Sequence, residues 1–443
     1  MILLLAGTSY SDAGVNNSEK RYGMKIVIVG GGWSGAAAAL EAKKQGLDVT
    51  LLERTDMILG TGLVGGIMRN NGRFTATEEL IAMGGGELFR IVEQNLRHKN
   101  ITFPGHEHAD LYDIAKTPGA VSRALTEAGI DVHYQSRVSK VNMEGRKIIS
   151  VADDHSGTYT GDVFIDATGT AGPMNNCGKY GNGCAMCILR CPSFGGRMSL
   201  AALCGVEEMT GKKADGSLGA MSGSCKLYKE SLSSEIVEKL NKTGIAVIPL
   251  PENLIENHLK LKACQQYALP EFAENIILLD TGHAKMMTPY YPVGKLHQIP
   301  GFENARYEDP YAGGKGNSMR FFAMCPRNDE LKVTGIENLF CGGEKAGLLV
   351  GHTEAIVTGT LAGYNAASYV LGKPLLTLSR QTCIGDAIAF VKEEMQKPEG
   401  ICKKYTFSGS VYFNRMKDLG LYQTDITEIK ERIAKLHLTD IFA

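Results

Sequence analysis

The sequence predicts an α/β protein: a split Rossmann-like nucleotide-binding domain, an inserted α+β domain and a helical C-terminus. Three observations carry this prediction. "KIVIVGGGWSG" sets a glycine-rich turn between an apolar strand and an Ala-rich helix. A second strand, "VTLL", ends on an acid, Glu53. Two later apolar strands end in glycine turns, at Ala167-Thr168-Gly169 and at Gly342-Gly343-Glu344.

The first element is Lys25–Val29, an Ile/Val run of the kind a parallel strand shows when it is buried on both faces. Gly30-x-Gly32-x-x-Gly35 follows. In such a turn the first glycine permits the tight bend, the second lets the backbone approach a pyrophosphate, and the third lets helix and strand pack closely. The helix N-terminus stabilises the phosphate charge. Glu53 closes the second strand, Val49–Leu52, where an acid accepts hydrogen bonds from an adenosine ribose. That acid disfavours a 2′-phosphate, so FAD or NAD is expected in preference to NADP.

Upstream, "MILLLAGTSYSD" has a short apolar run and no basic flank, unlike a signal peptide. Met24 directly precedes the first strand, and residues 1–23 are read as an N-terminal extension. No apolar run approaches the roughly 20 residues of a membrane helix. With 443 residues the chain is long enough for two or three domains. A formal net charge of −1 argues against a strongly basic nucleic-acid binder, though it leaves room for a local basic patch. There are eleven cysteines, none before Cys177. That is not the pattern of a secreted disulfide scaffold, and a reducing cytoplasm is expected.

The segments "GDVFIDATGTAG" and "TGIENLFCGGEKAG", with the helix "HTEAIVTGTLAGYNAASYVLG" behind the second, resemble FAD-binding flavoproteins of the glutathione-reductase type. The resemblance implies FAD, held by Gly30, Gly32, Ser34, Gly35, Glu53, Arg54, Ala167, Thr168, Gly169, Gly343 and Glu344. It also divides the chain. An FAD-binding domain is made of an N-terminal stretch (24–174) and a later stretch (333–385). Between them lies an inserted substrate and cysteine domain (175–332), and a C-terminal helical segment (386–443) follows. Within the insertion a helix is expected near Ser231–Lys242 and a strand at "IAVIPL". At the C-terminus Ile426, Ile429, Ile433 and Leu436 trace one apolar helical stripe.

"IPGFENARYED", "LFCGGEKAGLLVGHTEAIVTGTLAGYNAA" and "TLSRQTCIGDAIAFV" resemble the folate- and FAD-dependent tRNA uracil-5-methyltransferases and the related glucose-inhibited division protein A family. The methyltransferases carry a nucleophilic cysteine after the first βαβ unit. The corresponding stretch here, "TGLVGGIMRNNGRFT", has none, so folate-dependent methyl transfer is not expected.

Cys177, Cys184, Cys187 and Cys191 form a C-x6-C-x2-C-x3-C run followed by Pro192. Short spacings with interleaved glycines suit a wrapped iron–sulfur cluster, [4Fe–4S], with structural zinc as the alternative metal. A Cys184/Cys187 redox pair or inert buried thiols are further readings. Cys325, in "FFAMCPRND", is a candidate near the flavin, and His352, at a helix start, is a candidate acid–base group. Arg69 and Arg73 are candidates for an anionic substrate or the flavin O2 region, with surface arginines the plainer reading; His106 and His108 read as loop residues.

The function expected is an FAD-dependent oxidoreductase with an iron–sulfur relay. Flavin-dependent RNA uridine modification and a zinc-stabilised FAD-containing binding module are the alternatives. No second complete GxGxxG occurs, so electrons are expected from transiently docked NAD(P)H or from a redox protein such as ferredoxin. The other expected partner is a small-molecule substrate. RNA ranks behind these, and a homo-oligomer is left open.

Overall fold

Five parallel strands form the sheet that carries the glycine turns. They are β1 (Lys25–Val29), β2 (Asp48–Leu52), β3 (Asp131–His133), β4 (Val163–Asp166) and β5 (Leu339–Cys341), in the spatial order β5-β4-β1-β2-β3. Ile28 lies beside Ile165 on one side and Leu51 on the other, so β1 is central. The Ile/Val run predicted this position, since a central parallel strand is covered on both faces. β5 arrives from the far end of the chain and pairs with β4 through Ile165 and Phe340. The computed structural model describes residues 23–169, 190–218, 220–221, 224–257, 259–261, 265–288, 291–308 and 319–443. Cys177, Cys184 and Cys187 lie outside the described residues, as does the extension upstream of Gly23.

Helix α1 (Trp33–Lys44) follows β1, and helix α2 (His352–Val370) follows the Gly343 turn. They pack at close range because glycines replace side chains between them. A Cβ on Gly359 would meet the Ser34 carbonyl oxygen at 2.2 Å, and one on Gly363 would meet the Ala38 carbonyl oxygen at 2.4 Å. The alanines of α1 serve the same purpose: Ala36, Ala38, Ala39 and Ala42 are fully buried.

A four-stranded antiparallel sheet stands apart from this layer. Its order is Cys225–Leu227, Ala284–Met286, Asn275–Asp280, Ile245–Pro249. Along Asn275–Asp280 the side chains alternate between two cores, as strand geometry requires. Ile276 and Leu278 face the cluster containing Ile236 and Leu240 of the helix Ser234–Thr243. Ile277 and Leu279 face a second cluster with Ile67, Phe103, Ala109 and Leu111. Those four residues belong to a three-stranded sheet, Ile67–Met68, Leu96–Phe103 and His106–Tyr112. The stretch just after β2 therefore packs against the antiparallel sheet, and the chain from "TGLVGG" onward bridges the two layers.

Residues from Cys383 onward form helices Cys383–Met395, Ser410–Asp418 and Ile426–Lys435. In the last, Ile429 and Ile433 are buried, but Ile426 is 41% exposed, which departs from the predicted stripe. It is the first residue of the helix, next to the Asp425 cap, before the axis reaches the core. Among the described residues no helix is long and apolar enough to cross a membrane.

Candidate functional site

A cleft opens where the glycine turn, the β4 end, the β5 turn and the start of α2 converge. Gly30 has φ +106°, and a Cβ there would meet the Ala167 carbonyl oxygen at 2.4 Å. A Cβ on Gly35 would lie 1.8 Å from the Gly30 carbonyl oxygen. Gly32 differs from both: a Cβ there would meet nothing within 4 Å among the described residues. The first and third glycines are required by the protein's own packing, and the second faces open space. That is the arrangement a pyrophosphate needs, and Gly32 is also the residue preceding α1, whose backbone N–H groups point out of its first turn. Ser34 Oγ is buried without a hydrogen-bond partner among the described residues. Together, a turn that would be blocked by a Cβ on Gly32 and an orphaned hydroxyl fit FAD at this site.

Glu53 accepts from the Gly31 N–H through Oε2 (2.8 Å) and from the Thr55 N–H through Oε1 (2.7 Å). The carboxylate thus braces the loop at the β2 end. Arg54 lines the cleft and donates to the Gly195 carbonyl oxygen at 2.5 Å. Ala167, Thr168 and Gly169 form the floor beside Gly32. Gly343 and Glu344 form another wall. Gly343 has φ +63°, and its N–H donates to Thr358 Oγ1 at 2.8 Å.

His352 opens α2 in the cleft wall. Its Nδ1 is 3.3 Å from the Tyr112 hydroxyl, which donates to the Gly62 carbonyl oxygen at 3.3 Å. Burial pushes the Tyr112 phenol well above its usual range, so it stays protonated as a hydrogen-bonding group. The Trp33 ring lies 5.9 Å from the His352 ring, tilted by 39°. Opposite, the antiparallel sheet contributes Lys285, whose Nζ donates to the Val64 carbonyl oxygen (2.5 Å) and to Ser224 Oγ (2.7 Å).

Several expectations are corrected here. Cys325 does not line the cleft. Its N–H donates to the Lys345 carbonyl oxygen at 2.8 Å, which sets it behind the Gly343 turn, in the core. The neighbouring Cys341 and burial hold its thiol well above the usual range, so it is not a poised nucleophile. Arg69 is turned away, pairing with Glu78 and, at 3.6 Å, with Asp110. Arg73 reaches the cleft wall, but its guanidinium is buried in a pair with Glu354 (3.1 Å) and is not a surface arginine. His106 and His108 are not loop residues, since both lie in the strand His106–Tyr112. His106 is 2% exposed and sits between Asn70 Nδ2 (2.9 Å) and the Gln266 carbonyl oxygen (3.0 Å). The first of these partners can only donate and the second only accept, so the ring is neutral with its proton on Nε2.

Of the four clustered cysteines only Cys191 is described. It is buried at the start of a short turn of helix, Cys191–Phe194. Elsewhere, ligand atoms of Asp166, Glu208 and Cys325 come within 4.8 Å of one another. The Lys345 amine occupies that position, contacting Glu208 and Ser199 and lying 3.9 Å from Asp166, with burial lowering its pKa to about 7 against the pull of Asp166.

Sequence reasoning passed over Trp33, Tyr112, Lys285 and Arg197. The first is one residue from a named glycine. The others come from elements whose approach to the cleft no local pattern announces.

Residues 25–178 match the FAD dependent oxidoreductase family, and residues 293–374 match the family described as glucose inhibited division protein A. A curated relative, the tRNA uridine 5-carboxymethylaminomethyl modification enzyme MnmG of Chlorobaculum tepidum, is 27% identical over 162 residues. That stretch is 36% of this chain and 25% of the relative's length, so the match spans a quarter of that protein. Two crystal forms of Aquifex aeolicus GidA share the fold. Form II aligns over 95% of this chain and 74% of its own, with TM-score 0.68 and 16% identity. Form I aligns over 93% and 78%, with TM-score 0.61 and 15% identity.

Proposed function

We propose that this FAD-dependent enzyme, a relative of the glucose-inhibited division protein A family, modifies uridine in RNA. The observation that carries the reading is that the two family matches lie on the two halves of one cleft. The first covers the glycine turn and the β4 end, and the second covers β5, the Gly343–Glu344 turn and His352. Bound FAD supplies redox chemistry at this site. The chain's own residues bind and orient. Gly32, Ser34, Thr168 and Glu344 hold the cofactor, while Glu53 keeps the loop after β2 in shape. His352 exchanges a proton with the reacting base, with the Tyr112 hydroxyl holding its Nδ1 side. Lys285 faces the same space from the antiparallel sheet. The stretch 61–75 has no cysteine, so the chemistry differs from folate-dependent methyl transfer through a thiol there.

The test is nucleoside mass spectrometry of RNA from cells with and without the protein, and of transcript RNA incubated with the FAD-loaded enzyme and NADH. A uridine of altered mass that requires the protein is expected. Unchanged uridines in both experiments overturn the reading.

A second reading, electron relay through a cluster on Cys177, Cys184, Cys187 and Cys191, has one observation in its favour. The described residues on either side of the stretch that holds most of the run lie near the cofactor cradle. Gly169 lines the cleft on one side of it. On the other, Arg190 pairs with Asp56 at 2.5 and 3.1 Å, two residues beyond Arg54. Anaerobic purification with iron, sulfide and zinc quantification tests it. Iron and sulfide together support it, and stoichiometric zinc without sulfide overturns it.

A further inference from the structure

Arg197 is a buried charge whose only ion pair among the described residues is a long one, with Asp166 and Glu344 acting on it from further off. The residue is 7% exposed, and its Nε has no hydrogen-bond partner among the described residues. Nη1 reaches only Thr168 Oγ1, at 3.5 Å. The nearest carboxylate oxygen among the described residues, Oε2 of Glu208, is 4.0 Å away. The other oxygen of Glu208 is already engaged by Lys345 and Ser199. A buried guanidinium in that condition is costly unless an anion joins it.

Its surroundings indicate which anion. Arg197 lines a small pocket with Gly30, Arg54, Arg137 and Thr168, and among the described residues no carboxylate lines it. Arg54 and Thr168 also line the main cleft, so the two spaces meet at the glycine turn. The backbone before Arg197 is clamped in place. Arg54 donates to the Gly195 carbonyl oxygen at 2.5 Å, and Arg137 Nε donates to that of Gly196 at 2.7 Å. Gly195 has φ +73°, and a Cβ there would strike Arg137 Nε at 2.7 Å, so the clamp depends on this glycine. The fold thus devotes two arginines and a glycine to fixing the backbone before a third arginine, whose pocket also holds Gly30 and Thr168.

We propose that Arg197 is a phosphate ligand for FAD, placing a guanidinium fork on the pyrophosphate that the Gly32 turn receives. A planar fork with several donors matches phosphate oxygens, and its charge complements the helix terminus. Burial pulls the guanidinium pKa down, while Asp166, Cys325 and Glu344 pull it up. The inference rests on the FAD cradle and not on the RNA reading.

The experiment is FAD dissociation from the purified holoprotein on dilution, followed by flavin fluorescence. Arg197→Gln is expected to raise the dissociation constant by about tenfold or more, the scale of one lost charge-assisted hydrogen bond. Arg197→Lys keeps the charge without the fork and should fall between the two. It carries the test if the Gln variant fails to fold by circular dichroism. Unchanged FAD affinity in a folded variant, or an Arg197→Lys variant as weak as Arg197→Gln, overturns the assignment. Gly32→Val separates this from failure of the cradle itself: if that variant keeps FAD, the cradle is misplaced, and if it loses FAD while Arg197→Gln does not, only the role of Arg197 is wrong.

Discussion

A Cβ placed on Gly65 would lie 1.9 Å from Cε1 of His352 and 2.5 Å from the Tyr112 hydroxyl. The His352 ring therefore sits against bare backbone, and Gly65 fixes how deeply it enters the cleft. Gly65→Ala should push the ring aside while leaving the cofactor cradle intact. The expected outcome is a folded, flavin-loaded protein whose flavin reduction has an altered pH profile, matched by His352→Asn. Stopped-flow reduction across pH 5–9 checks this, and a wild-type profile in both variants removes His352 from proton exchange.

Gly32 and Gly359 should fail in opposite ways. A side chain on Gly32 enters open space, so Gly32→Val is expected to melt like the wild type without its cofactor yet lack FAD absorbance. Gly359→Ala forces a methyl against the Ser34 carbonyl oxygen and should destabilise the α1–α2 contact by about 1–3 kcal/mol. Thermal melts of both apoproteins, with flavin content alongside, distinguish the two. Equal melting temperatures in both variants contradict the packing argument.

Arg73 and Glu354 form a buried pair, with side chains 5% and 0% exposed. Glu354 also accepts from the Phe407 N–H at 2.9 Å, and Arg73 donates to the Val350 carbonyl oxygen at 3.2 Å. Arg73→Met leaves an uncompensated buried carboxylate, and a loss of about 3–5 kcal/mol is expected in urea unfolding. A loss below ~1 kcal/mol would show that the pair is not buried as described.

Glu41 introduces a pH dependence of stability. It is 2% exposed, its Oε1 has no partner among the described residues, and Oε2 meets Lys44 Nζ at 2.8 Å. Burial pushes its carboxyl up to about 7, against the pull of Lys44. Between the ordinary value of 4.5 and 7 the folded state holds a proton that the unfolded chain has released. Stability through this group therefore falls as pH rises across that window, by up to about 3 kcal/mol. Glu41→Gln should flatten the curve, gaining stability relative to wild type at pH 8 but not at pH 4.5. Parallel curves for the two proteins refute the shift.

The sequence by itself determined the strand–glycine–helix unit, the acid at the β2 end, and the two late strands that complete the sheet. These were legible because the constraint is local. A tight turn needs Gly30, a backbone open to phosphate needs Gly32, and a doubly buried strand needs an unbroken apolar run. Gly343 and Glu344 could be read for the same reason, since the turn lies within three residues of its strand. Tertiary structure alone decided what the polar and ionisable side chains do. Arg69 and Arg73 look alike in sequence, but one turns to Glu78 and Asp110 while the other crosses 281 residues to Glu354. Cys325 resembled a site residue until the Gly343 turn covered it. Tyr112 meets His352 across 240 residues, and Arg54 and Arg137 hold the backbone before Arg197 from 141 and 59 residues away. The physical reason is that burial and pairing are properties of a side chain's surroundings, and those surroundings are assembled from distant stretches of the chain.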